Sequence, residues 1–163
     1  MKYFTFNEFI NSDKANELNI DNTPEQWQLE NVEEFVNNLL DPLREDWEKY
    51  CNIFDLGNPA LIITSGVRCK ELNDNISGAS KTSAHYLGYA ADIIPANRNL
   101  KEFKIFCIKW LKNKNFDQMI SENENNNIPE WIHIGYKNNA HSQRKQFLLM
   151  NNNNYYYIKM EDF

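Results

Sequence analysis

Two short stretches of the chain carry residue types that can do chemistry together. In Ser83-Ala84-His85-Tyr86-Leu87-Gly88-Tyr89-Ala90-Ala91-Asp92, an imidazole and a carboxylate stand seven residues apart, with a glycine between them and small residues just ahead of the acid. Pro129-Glu130-Trp131-Ile132-His133-Ile134 offers a second imidazole with an acid three residues before it. Two imidazoles and a carboxylate form a donor set suited to zinc with a fourth position open to water, and water held there loses a proton near neutral pH. Glu130, close to His133, is then the candidate base toward that water and the acid toward a leaving amine. Residues 130 and 133 face opposite ways in a regular strand, so this role requires a turn near Pro129.

Each residue alone also has an ordinary reading. His85 can be a satisfied core or surface histidine, Asp92 a strand-end cap and Glu130 a loop-edge acid. The setting of Asp92 favours chemistry, because it lies between Ala90, Ala91, Ile93 and Ile94. A carboxylate in such a run is at least partly buried and must be ion-paired, hydrogen-bonded or metal-bound. Arg68, after Thr64-Ser65-Gly66, can hold a substrate carboxylate or a developing oxyanion, or it can be a surface arginine. Ser83 can orient the site or substrate, or be a plain loop serine. His141, in a polar Asn/Lys/Arg-rich segment, reads as solvated.

These residues need elements to position them. Thr5 with Glu8 three residues on forms a capping-box pattern ahead of Phe6, Phe9 and Ile10, which predicts a short first helix. Thr23 as N-cap and Pro24 at the first helical position open the main helix, whose apolar set runs from Trp27 through Val32, Phe35, Leu39 and Leu43 to Trp47. Pro42 kinks or divides it. Leu61 to Thr64 is a short buried strand, and Lys70 to Ile76 a helical turn or two. The histidine motif sits on a loop entering the strand Tyr89 to Ile94. Asn99 to Lys112 is an amphipathic helix, Phe116 to Ile120 a strand, Ser121 to Ile128 an acidic loop and Trp131 to Tyr136 a strand with Trp131 and His133 on one face. Gln146 to Met150 and Tyr155 to Met160 pair around an Asn-rich turn. Helices gather early and strands late, which predicts an α+β domain with a mainly antiparallel sheet.

The 163 residues, 42% of them hydrophobic, suffice for one self-standing core spanning residues 1–163. A formal net charge of −6 and a pI near 5.1 disfavour nucleic-acid binding and attraction to anionic membranes. No apolar run reaches the length of a membrane span, and the N-terminus lacks a signal-peptide core, so the expectation is a monomer made in the cytoplasm without membrane insertion. Cys51, Cys69 and Cys107 lack a CxxC spacing and read as reduced core residues.

Ser65-Gly66-Val67-Arg68, Ser83-x-His85-x-x-Gly88-x-Ala90-x-Asp92 and Glu130-x-x-His133 resemble, in order, the SGxR, SxHxxGxAxD and ExxH signatures of the zinc D-alanyl-D-alanine carboxypeptidase and L-alanyl-D-glutamate endopeptidase superfamily. Phage endolysin domains, vancomycin-resistance dipeptidases and the hedgehog signalling domain share that fold. Phe116-Asp117-Gln118-Met119-Ile120 is similar to the family's FDQ-type strand, and the resemblance covers about residues 4 to 136. It implies a hedgehog/DD-peptidase-like fold, Zn2+ held by His85, Asp92 and His133, Glu130 as the base that activates zinc-bound water, and Arg68 on the substrate. The implied reaction is hydrolysis of a peptide bond in peptidoglycan stem peptides. The enzyme would act at the bacterial wall, after release or from a virion. The alternative is a non-catalytic zinc-containing domain of the same fold that binds cell wall or serves as a phage structural part.

Overall fold

A computed structural model describes residues 1–77, 79–152 and 154–159. Its first helix, α1 (Phe6–Ile10), begins with the expected capping box: the Glu8 carboxylate accepts from the Thr5 backbone N–H at 2.7 Å and from its hydroxyl at 2.8 Å. A second short helix, α2 (Asp13–Leu18), is capped by the Ser12 hydroxyl and was not apparent in the periodicity. The main helix starts two residues later than Pro24 suggests. Asp21 takes the Thr23 N–H and hydroxyl in a tight turn, and Glu25 becomes the N-cap of α3 (Gln26–Phe35).

Pro42 divides the long helix as expected. It lies at the start of α4 (Asp41–Phe54), directly after a π-helical turn, Val36–Leu40. Proline cannot donate an i→i−4 bond and crowds the carbonyl four residues back, and the wider turn relieves that crowding without breaking the rod. Val32, Phe35, Leu39, Leu40, Leu43 and Trp47 along this rod are fully buried.

The strands are β1 (Leu61–Ser65), β2 (Ala90–Pro95), β3 (Gln118–Glu122), β4 (Trp131–Gly135), β5 (Gln146–Asn151) and β6 (Asn154–Tyr157). They form one sheet in the order β1-β2-β4-β3-β5-β6. All pairs are antiparallel except β3 with β5, which run parallel. The chain is therefore α+β with a mostly antiparallel sheet, as its pattern of elements predicts. Helix α5 (Lys70–Asn75) follows β1, and α6 (Leu100–Leu111) crosses between β2 and β3.

Alternation of side chains gives the sheet two unlike faces. Ala91, Ile93, Met119, Ile132 and Ile134 join the helical residues Val32, Phe35, Leu39, Phe103 and Phe106 in one core. Asp92, His133, Ile120 and Glu122 lie on the opposite face, as the registers Asp92↔His133 and Ile120↔His133 require. Cys51 and Cys107 are buried and all three cysteines are free. None of the described helices is long and apolar enough to cross a membrane.

Candidate metal centre

The loops that carry the chemistry are held by carboxamides. Asn22 donates to the Ile10 and Val67 carbonyls at 2.8 and 3.0 Å and accepts from the Cys69 N–H at 2.8 Å, fixing the segment after β1. Gln28, buried on α3, donates to the Arg68 carbonyl at 3.1 Å and to the Tyr86 carbonyl at 2.5 Å, so one side chain ties the arginine loop to the histidine loop. These amides satisfy carbonyls and N–H groups that irregular backbone would otherwise leave unpaired. Gly88, at φ +76°, packs against the Gln28 carbonyl, where a Cβ would lie 2.5 Å from the oxygen. Gly66 presses on Phe9 so closely that a Cβ would sit 2.4 Å from its carbonyl oxygen. Both motif glycines thus let the two loops approach the helices.

His85 enters the site from this braced loop. Its Nδ1 lies 2.8 Å from the Gly66 carbonyl oxygen, which can only accept, so Nδ1 carries the proton and Nε2 presents its lone pair inward. Burial drives the His85 pKa down, against the pull of Asp92 and with the help of Arg68, which keeps the ring neutral. His85 Nε2 is 3.2 Å from His133 Nδ1 and 3.3 Å from Asp92 Oδ1, and His133 Nδ1 is 2.9 Å from the same oxygen. Burial would push the Asp92 carboxyl up, but the neighbouring His85 and the hydrogen bond from His133 hold it well below the usual range.

Three buried donors of two residue types thus converge on one point. Zinc bonds of 2.0–2.1 Å at tetrahedral angles place ligand atoms about 3.3–3.4 Å apart, close to the spacing found here. The donor set also suits a cation: His85 Nε2 and Asp92 Oδ1 are both acceptors facing His133 Nδ1, and one proton between them serves only part of that demand. His85, Asp92 and His133 are therefore the residues that could hold a metal ion.

Arg68 borders the cluster. Its Nη2 reaches Asp92 Oδ2 at 3.6 Å and the Ser65 hydroxyl at 3.1 Å, which leaves Asp92 Oδ1 for the cluster. Its Nε is buried with no hydrogen-bond partner among the described residues, and burial lowers its pKa against the opposing charge of Asp92. The Ser83 hydroxyl accepts from the His85 N–H at 3.3 Å and so braces the loop. His141 is exposed, as its polar segment suggests.

The structure does not bring Glu130 to the cluster. It precedes β4, is exposed, and its carboxylate accepts from the Asn123 side chain at 3.0 Å. The turn at residues 126–127 and the bend at Glu130 leave its side chain pointing to Asn123, and its N–H bonds the Glu122 carbonyl at 2.9 Å. A different acid occupies the His133 face. Glu122 ends β3 opposite Trp131 and two residues beyond Ile120, the neighbour of His133. It is buried, and its Oε2 has no hydrogen-bond partner among the described residues. Burial raises its pKa to about 7; the charge of Asp92 adds to the shift and His133 opposes it. The sequence places Glu122 in an acidic loop, because the strand reads as ending at Ile120. The parity of Phe116-Asp117-Gln118 with a strand extended to residue 122 was the signal that could have found it.

The sheet thus carries a buried His-Asp-His cluster and, on the same face, the buried acid Glu122. A family profile described as Peptidase M15 matches residues 2–135, and the chain belongs to that family. The resemblance seen in the motifs therefore holds at the level of the superfamily. No curated protein and no solved structure matches the chain.

Proposed function

We propose that this chain is a zinc-dependent peptidase that hydrolyses a peptide bond in the stem peptides of bacterial peptidoglycan, of either the D-Ala-D-Ala carboxypeptidase or the L-Ala-D-Glu endopeptidase type. One observation carries the proposal: His85 Nε2, Asp92 Oδ1 and His133 Nδ1 converge within 4.8 Å on the sheet face that also bears Glu122. Zn2+ bound by these three residues would supply the Lewis acidity that activates water and polarises a carbonyl.

The protein residues divide the remaining work. Glu122, poised near neutrality in an apolar setting, takes the proton of the attacking water and passes it to the leaving amine. The Gly66 carbonyl and Ser83 hold His85 in its tautomer and place. Arg68 orients Asp92 through Oδ2, and its part-exposed guanidinium puts positive charge beside the site for a substrate carboxylate or the oxygen of the tetrahedral intermediate. Glu130, which the ExxH resemblance implies as base, lies outside this arrangement and is assigned no proton transfer. In this reading the enzyme reaches the bacterial wall after lysis or from a virion.

The test is digestion of purified peptidoglycan by zinc-loaded protein, with a chelator-treated control and mass spectrometry of the products. New peptide ends that vanish on chelation and return with zinc are expected, and their masses identify the bond. Zinc bound at one equivalent with no cleavage of any wall type would instead make the chain a binding domain.

A further inference from the structure

The matched family region ends at residue 135, yet the sheet continues for two more strands. This C-terminal hairpin is built into the fold. Asp117, almost fully buried, accepts from Arg144 Nε at 2.7 Å, from its Nη2 at 2.6 Å and from its backbone N–H at 3.2 Å. β5 then pairs in register along β3 from Gln118↔Gln146 to Glu122↔Met150.

That register extends the face of the site outward. Glu122 lies opposite Trp131 on one side and Met150 on the other, and Met150 lies opposite Tyr155 of β6. One level down, the sequence runs His133, Ile120, Leu148, Tyr157. Side chains at one level of paired strands share a face, so Trp131, Glu122, Met150 and Tyr155 form a continuous strip. Tyr155 stands two strand spacings, about 10 Å, from Glu122, within reach of a peptide that passes over the acid. Tyr155 is 61% exposed, so its ring is open to a ligand. Tyr156 points to the opposite face and is 55% exposed. Partial desolvation of its hydroxyl and the charges of Glu122 and Asp92 raise the pKa of the Tyr155 phenol.

We infer that the hairpin forms part of the substrate cleft, and that the ring of Tyr155 binds the portion of the peptide substrate that extends past Glu122, away from the His-Asp-His cluster. This rests on the peptidase reading above. Met150 gives the strip an apolar floor between the acid and the ring, so the segment bound there is peptide main chain and uncharged side chain rather than an acidic group, which Glu122 and the net charge of −6 would repel.

The experiment compares wild type, Tyr155→Ala, Tyr155→Phe and Tyr156→Ala, all zinc-loaded, on a soluble stem pentapeptide, reading KM and kcat separately. Binding of the same pentapeptide is also measured by calorimetry in the Glu122→Gln background, with and without Tyr155→Ala. The expected result is a KM and a dissociation constant raised roughly five- to ten-fold by Tyr155→Ala, a kcat within about two-fold, and wild-type values for Tyr155→Phe and Tyr156→Ala. Wild-type cleavage with Tyr155→Ala unchanged, or with Tyr155→Ala and Tyr156→Ala equally impaired, overturns the inference and leaves the peptidase reading standing. A Tyr155→Phe loss equal to that of Tyr155→Ala overturns the ring contact. Wild type that neither cleaves nor binds the pentapeptide overturns both.

Discussion

His85 Nε2 and His133 Nδ1 face each other across 3.2 Å although 48 residues separate them in sequence. Because the Gly66 carbonyl fixes the proton of His85 on Nδ1, Nε2 can only accept, and a cation is the partner that serves both rings and Asp92 together. Titrating metal-free protein with Zn2+ should therefore raise its melting temperature, by about 5–10 °C at a hundredfold excess over Kd. His133→Ala and Asp92→Ala should abolish that rise, as read by differential scanning fluorimetry. An equal rise in either variant would place the ion elsewhere.

The two acids near His133 make opposite predictions. Glu122→Gln should bind one zinc as wild type does but lower kcat by roughly 10²–10⁴, the range that a positioned base contributes. Glu130→Gln, which alters an exposed bond to Asn123, should change kcat by less than about three-fold. Single-turnover kinetics on a stem peptide with metal content measured alongside would decide it. The reverse pattern would return the base to Glu130.

Glu122 also gives the metal-free protein a pH signature. Its carboxyl is raised in the folded state from 4.5 to about 7, so between these values the folded chain holds a proton that the unfolded chain has released. The stability contributed by that neutral acid is complete below pH 4.5 and is lost as pH rises through about 7. Glu122→Gln removes the titration. The melting temperature of Glu122→Gln minus that of wild type, measured in chelator, should climb across this window and level off above it. A difference that is flat with pH would mean that Glu122 is solvated.

Asn22 and Gln28 lie away from the donors but hold their loops. Asn22→Ala leaves the Cys69 N–H and the Val67 carbonyl without their partner and should cost about 1–3 kcal/mol in urea unfolding. Gln28→Ala frees the Arg68 and Tyr86 carbonyls together. It should weaken zinc affinity about 10-fold or more by loosening His85, as loss of groups that orient ligands does. Competition with a chromophoric chelator reads this out, and unchanged affinity would limit Gln28 to stability.

Much of the site was legible in the sequence because its signals are local. His85, Gly88 and Asp92 belong to one loop and the strand it enters, where the residue types state their own requirements: a glycine that tolerates φ +76° and an acid amid apolar neighbours. The capping box at Thr5, the division of the long helix at Pro42 and the α+β order also follow from short-range rules. Glu122 escaped because a strand boundary is weakly encoded. Ser121, Glu122 and Asn123 are polar and read as loop, yet pairing with Trp131 and Met150 carries β3 to residue 122. An error of two residues at a strand end hid the acid that shares the sheet face of His133.

The sequence by itself determined the composition of the cluster, the elements that carry it and the glycines that let its loops pack. Only the tertiary structure decided which acid stands beside it, because facing in a sheet depends on register between strands, set by hydrogen bonds between residues distant along the chain. The same long-range pairing lays β5 parallel to β3 and brings Tyr155 onto the face of Glu122 and His133, a relation that no local pattern encodes.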